Sequence, residues 1–228
     1  MGFFKVDASE ENVKDYEGGS GYINKSGIYE AIIKAVIVDK SPNGSEFINL
    51  WIECNGQEQP IFQAMRLTNN DGSPNLGAKL FTKFCIVAGA EQGAEIDDPV
   101  PAMVPIGKGG EMQECMVLEQ FKDIPMFLRV QMEYSMYDGK IKEQKSVRNF
   151  FRYEDKATAS EIVNDVETKG EQFKKEEEYA DKITYKDGLT EEDVQNYLKE
   201  RRSGKKQEET DRKPSGGFGG KRRFGKKE

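Results

Sequence analysis

Between Ile124 and Met136 every even-numbered residue is apolar: Ile124, Met126, Leu128, Val130, Met132, Tyr134 and Met136. Successive side chains of an extended strand point to opposite faces, so strict alternation over this length demands a β-strand with one face in a core. The other face holds Pro125, Phe127, Arg129, Gln131, Glu133, Ser135 and Tyr137. Asp138 and Gly139 follow, a dipeptide that tolerates the positive φ of a tight turn, and then comes a second β-rich run, "KIKEQKSVRNFFRY". A long hairpin is predicted.

Two more turns of the same kind stand upstream. "GIYEAIIKAVIVDK" and "SEFINLWIEC" flank "PNG", and Asn55-Gly56 leads into "QEQPIFQAM". Five strands are therefore expected. Between the third and fourth, "NLGAKLFTKFCIVAGA" repeats apolar residues every fourth position at Leu76, Leu80, Phe84 and Ala88, with Phe81 and Cys85 widening the stripe. That spacing predicts a helix with one face against a sheet. The stretch from Glu91 to Gly110, rich in proline, glycine and acid, is expected to be a loop able to lie over a binding surface. The order of three strands, helix and two strands resembles that of an OB-fold, a partly open five-stranded barrel whose exposed face commonly binds oligonucleotides.

Composition narrows the chemistry. The chain has no histidine, so a Ser-His-Asp or Cys-His relay is impossible and the commonest zinc ligand is missing. Cys54, Cys85 and Cys115 are about thirty positions apart with no C-x-x-C, and read as reduced thiols. No apolar run is long enough to cross a bilayer, and "MGFFKVDASEENVKDYEGG" lacks the features of a secretory signal. A soluble, cytoplasmic protein with no cofactor, metal or catalytic set is expected.

Charge divides the chain. Residues 1–153 carry 16 basic and 22 acidic side chains, residues 154–200 carry 7 and 15, and residues 201–228 carry 11 and 4. The expected organisation is an N-terminal arm (1–20), a barrel domain (21–153), an acidic helical segment (154–202) and a disordered basic tail (203–228). In the acidic segment, Ile162, Val166 and Phe173 form a sparse stripe on a solvated helix. "GLTEEDVQNYLKERR" predicts a better-defined helix, with Thr190 as N-cap and Val194, Tyr197 and Leu198 on one side.

A two-residue loop at Asp138-Gly139 would set Met126 against Phe151 and Val130 against Val147 in the core. On the outer side it would set Phe127 against Phe150 and Arg129 against Arg148, with Arg152 just beyond. Opposed arginines repel, whereas a phosphate between them makes the pair favourable. The same register turns Glu143 and Lys145 inward, near the open end of the barrel. A two-residue loop at Asn43-Gly44 would make Ile37, Leu50, Ala35 and Ile52 core, and leave Val36, Trp51 and Lys34 outside. The candidate nucleic-acid contacts are Lys34, Trp51, Phe127, Arg129, Lys142, Arg148, Phe150 and Arg152. Phe218, Lys221, Arg222, Arg223 and Phe224 of "GGFGGKRRFGKKE" join them. Rings offer π-faces to any base while cations follow phosphates, the chemistry of sequence-tolerant single-strand binding.

With these features, "SGIYEAIIKAVIVDKS" through "GAKLFTKFCIVAGA" resembles phage-encoded single-stranded DNA-binding proteins of the OB-fold kind, over residues 20–153. The resemblance implies a non-enzymatic protein that coats and protects unwound DNA in replication or recombination. Its partners would be single-stranded DNA, with RNA as a second candidate, and replication or recombination proteins met through the acidic segment; an oligomer is compatible. Many such proteins end in an acidic tail, whereas here the acidic stretch is internal and the terminus basic. Two rival readings are a protein-protein adaptor, favoured by the acidic barrel segment, and a Mg²⁺-dependent nuclease built on Asp138, Glu143 and Lys145.

Overall fold

The computed structural model describes residues 21–107 and 109–202. The N-terminal arm 1–20 and the tail 203–228, with Phe218, Lys221, Arg222, Arg223 and Phe224, lie outside the described residues.

The chain is mainly β. Strands β1 (Gly27–Lys40), β2 (Glu46–Cys54) and β3 (Gln57–Arg66) form a meander, followed by helix α1 (Leu76–Val87). A small hairpin comes next, β4 (Val100–Val104) and β5 (Gln113–Val117), then the long hairpin β6 (Ile124–Tyr137) and β7 (Lys140–Arg152). Helices α2 (Ala159–Val163) and α3 (Glu171–Glu177), the two-residue strand β8 (Thr184–Tyr185) and helix α4 (Glu191–Arg202) complete it. Among the described residues there are thus eight strands in one sheet, not five. The region expected to be a loop contributes β4, which pairs with β5 just beyond it; these short strands, one carrying Pro101, gave no alternation to read.

The ladders run antiparallel in the order β3-β2-β1, and β1 then shares its second edge between two partners. Gly27–Ile33 pair with β6, whereas only Ile37 and Val38 pair with β5. The switch falls at a bulge between Ile33 and Ala35, where Lys34 sits. β8 lies parallel to β6, beside Glu133 and Tyr134. β3 and β7 approach each other across the core without a paired ladder.

Turn chemistry explains which registers were legible. Asn55 and Gly56 both have positive φ, as do Asp138 and Gly139, so both are two-residue loops as expected. The first hairpin differs. Ser41 N–H donates to the Ser45 carbonyl at 2.8 Å, and only Gly44 of the three intervening residues has positive φ. A three-residue loop shifts the register by one, so Val36 rather than Ile37 points into the core.

The main core lies between the sheet and α1, and contains Ile33, Val36, Ile48, Leu50, Ile52, Ile61, Met126, Leu128 and Val130. Phe84 of α1 meets Phe121 edge-on at 5.0 Å and Phe150 edge-on at 5.2 Å. Phe84 and Cys85 are buried, Leu80 and Phe81 half-buried, and the predicted stripe fails only at its first residue, Leu76, which stands in solvent just past the Asn75 cap. Gly77 allows α1 to press on the end of β3, since a Cβ there would lie 2.1 Å from the Arg66 carbonyl oxygen.

Candidate nucleic-acid interface

Two outer surfaces of the sheet were candidates, and the chain treats them differently. On β6–β7 the expected register holds from the turn as far as Val130 and Val147. A bulge between Arg129 and Val130 then leaves Arg148 unpaired in the ladder, and every side chain of β7 beyond it changes face. Arg129 therefore faces Asn149 and Phe127 faces Phe151; the expected Arg129–Arg148 and Phe127–Phe150 pairs do not form. Phe150 belongs to the core, with 0% of its surface exposed.

The outer face so formed is covered by the chain's own acidic segment. Phe173 of α3 is buried edge-on to Phe127 and Phe151, at 5.3 and 5.0 Å, and Phe127 also stacks on Tyr153. Arg129 reaches Glu176 at 3.2 Å and lies 4.7 Å from the centre of the Tyr179 ring. Glu176, itself buried, also accepts from Asn149 at 2.8 Å and Gln172 at 3.1 Å. Arg152 is held by Asp155, and Arg148 by Gln131 and Glu133. Lys142 is exposed opposite Ser135, toward the turn. The arginines of the expected cationic patch are thus ion-paired, and the segment expected to be a loosely packed solvated helix is two short helices, the second carrying buried Phe173 and Glu176.

Beyond the bulge the inner face of the hairpin tip is covered by α4. Val194 is buried there with Met132 and Tyr134, flanked by Tyr197 and Leu198. Thr190 caps the helix, with Asp193 N–H donating to its hydroxyl and Thr190 N–H donating to the Asp193 carboxylate. Glu143 accepts from Arg201 at 2.8 Å, and Asp138 serves the turn, which accounts for the acidic members of the nuclease-like triplet. Burial pushes the Lys145 ammonium below its usual range.

Glu133 joins these elements. Its buried carboxylate takes Arg148 from β7 and Lys186 from just after β8. Burial alone would raise its pKa, but the Lys186 hydrogen bond and the two cations outweigh it and hold the group below the ordinary 4.5. A depressed carboxylate contributes stability that is present above the unfolded-state pKa and lost as pH falls through that value toward the folded one. Melting temperature should therefore drop as pH is lowered from 5 toward 3 (the order of unperturbed glutamate titration), and Glu133→Gln should flatten that part of the profile; an identical acid profile in both proteins would exclude the linkage.

The outer face of β1, β2 and β3 is different. Lys34 bridges Glu53 at 3.1 Å and Asp123 at 3.3 Å, and these hydrogen bonds, Glu53 foremost, raise its pKa. Trp51 does lie off the main core, as expected, yet it is only 8% exposed. It packs with Ile37, Val104 and Val117 beneath the β4–β5 hairpin, and its indole N–H donates to Glu58 at 2.8 Å. A cavity of about 280 Å³ separates this hairpin from β1 and β2, with Trp51 in its lining and Lys34, Lys122 and Met103 around it.

Three residues on this face escaped the sequence reading. Phe62 is 54% exposed on β3. Next to it Gln63 adopts φ +50°, and its N–H donates to the side-chain carbonyl of buried Asn49 at 2.7 Å, fixing a bulge opposite β2. Further along, Arg66 pairs in register with half-buried Phe47. The one signal in the sequence was "IF" in "PIFQAM", two large apolar residues in succession, which marks a departure from alternation.

No protein-family model matches the chain, and no curated protein is significantly similar to it.

Proposed function

We propose that the protein is a single-stranded DNA-binding protein of the phage-encoded OB-fold kind, acting in replication or recombination in the host cytoplasm, and that the strand lies across the outer face of β1, β2 and β3. In this reading β6 and β7 are the fourth and fifth strands of an OB-type barrel that β3 and β7 close, and β4–β5 is a hairpin inserted before the fourth strand.

The observation that carries the proposal is the setting of Phe62. A single exposed ring is ordinary. A ring beside a non-glycine residue of left-handed φ, pinned by a buried asparagine, is a built feature, and such backbone outliers gather at binding sites. A base stacked on Phe62 would cover the ring without regard to sequence, at roughly 1–3 kcal/mol per base. Phe47 and Arg66, paired in register further along β2 and β3, extend the track. The tail residues Phe218, Lys221, Arg222, Arg223 and Phe224 would add salt-sensitive affinity of the same kind. On the β6–β7 face Arg129, Arg148 and Arg152 are already matched by carboxylates, whereas Arg66 on the other surface has only neutral partners among the described residues, which favours that surface.

One observation favours an adaptor as the second reading. Val100, Met103, Met112 and Met116 are all exposed on or beside the β4–β5 hairpin, a small apolar surface suited to a protein partner.

Titration of labelled oligo-dT at two salt concentrations separates them. Tight, salt-weakened binding is expected for the parent, and Phe62→Ala should weaken it by about 1–3 kcal/mol with no change in melting temperature. Arg148→Ala, which acts on the covered face, should bind like the parent. Parental affinity in Phe62→Ala would remove this surface from the proposal, and absence of oligo-dT binding would leave the adaptor.

A further inference from the structure

We propose that the pocket around Arg66 is a seat for a single phosphate group, a site that deepens the single-strand reading and rests on it for the identity of the natural ligand. Five arginines have described side chains, and four of them, Arg129, Arg148, Arg152 and Arg201, have a carboxylate within 4 Å. Arg66 is the exception among the described residues. Its partners are neutral: Nη2 donates to the Ser45 hydroxyl and the Asn70 side-chain carbonyl, both at 2.8 Å, and Nε donates to the Thr68 carbonyl at 3.1 Å.

Those three bonds do two things. They fix the plane of the guanidinium, so little side-chain entropy is left to lose on binding. They also leave its charge unmatched, with both Nη1 hydrogens unused among the described residues. The fixation is reinforced from behind, where Gly77 lets α1 abut the Arg66 backbone and Ser45 donates to Asn70 at 2.6 Å.

The space in front is an open cavity of about 280 Å³ with no carboxylate in its lining. Ser41, Asn43, Ser45, Gln63 and Asn70 surround Arg66 there, so the Ser41 hydroxyl and the side-chain amides of Asn43, Gln63 and Asn70 are donors gathered around one cation. Phe47 forms an apolar wall, placed for the sugar or base that a phosphate carries. Charge-assisted bonds from a fixed guanidinium to phosphate oxygens are among the strongest available to a surface site.

A phosphate can come from a polynucleotide backbone or from a free anion, and separate arms distinguish the sources. Sodium phosphate, thymidine 5′-monophosphate and thymidine are each titrated into the ¹⁵N-labelled full-length chain in a non-phosphate buffer, followed by amide shifts of Ser41 to Phe47 and Asn70. Both phosphate compounds should shift these amides, the nucleotide more strongly through Phe47, and thymidine should not. This parental measurement needs no substitution, so a folding defect cannot obscure it. Arg66→Met should abolish the shifts, Arg66→Lys should restore part of them, and the salt slope for oligo-dT should fall by about 1 in Arg66→Met. Shifts without any effect of Arg66→Met on oligo-dT would keep the seat, assign it to free phosphate or nucleotide, and overturn the strand path across it. Absence of shifts with sodium phosphate and the mononucleotide in the parent would overturn the seat itself, whatever Phe62→Ala shows for the strand.

Discussion

Phe150→Ala is expected to cost about 3–5 kcal/mol of folding stability, the usual toll of emptying a phenylalanine site in a closed core. The ring has no exposed surface and meets Phe84 edge-on, so its removal opens a void between β7 and α1. Urea denaturation measures this directly, and the midpoint should fall with little change in slope. Any loss of oligonucleotide binding should track unfolding and vanish under conditions where the variant is fully folded. A stable Phe150→Ala protein with selectively weakened binding would instead place this ring on a ligand surface, against the bulge at Arg148.

Glu176→Ala should be about as damaging, at about 3–5 kcal/mol, because it strands a buried cation. Arg129 is largely enclosed by α3 and Tyr179, and its Nε has no acceptor among the described residues. Losing the carboxylate also removes the acceptor of Asn149 and Gln172. The paired change Arg129→Met with Glu176→Leu should recover most of the loss, since a well-packed apolar pair often equals or exceeds a buried ion pair. A loss below about 1 kcal/mol in the single variant, typical of a solvated pair, would mean that α3 does not seal this face.

Much of the sheet was readable because β-structure advertises its inward face. The alternation from Ile124 to Met136 placed Met126, Leu128, Val130, Met132 and Tyr134 correctly, and all five are buried. Positive-φ dipeptides fixed two loops. The register errors share one cause, the addition or removal of a single residue from a ladder. Pro42-Asn43-Gly44 closes a three-residue loop with one left-handed glycine, and the bulge at Arg148 adds a residue to β7. The first inverts the faces of β1 as far as the Lys34 bulge, and the second those of β7 beyond Arg148. The spacing of Val147, Phe150 and Phe151 carries that inversion, but only a partner strand reveals whether Phe150 or Phe151 enters the main core.

The candidate site was harder to read for another reason. Arg129 finds Glu176 47 residues away, and Lys186 reaches Glu133 across 53. Charge counts showed an acidic segment able to meet cations, yet gave no register for the meeting. Phe62 and Arg66 were hidden because their importance rests on what their neighbours lack: no proper alternation at Gln63, and no acid beside the guanidinium.

The divided edge of β1 makes the sheet unequally stiff. Detaching the long hairpin would break seven residue pairs, from Gly27 to Ile33, whereas β5 holds by two, at Ile37 and Val38. The small hairpin is held to β1 by that short ladder and by the packing of Trp51, Val104 and Val117. Separating it from β1 would break two residue pairs and leave the β2–β3 ladder that carries Arg66 intact.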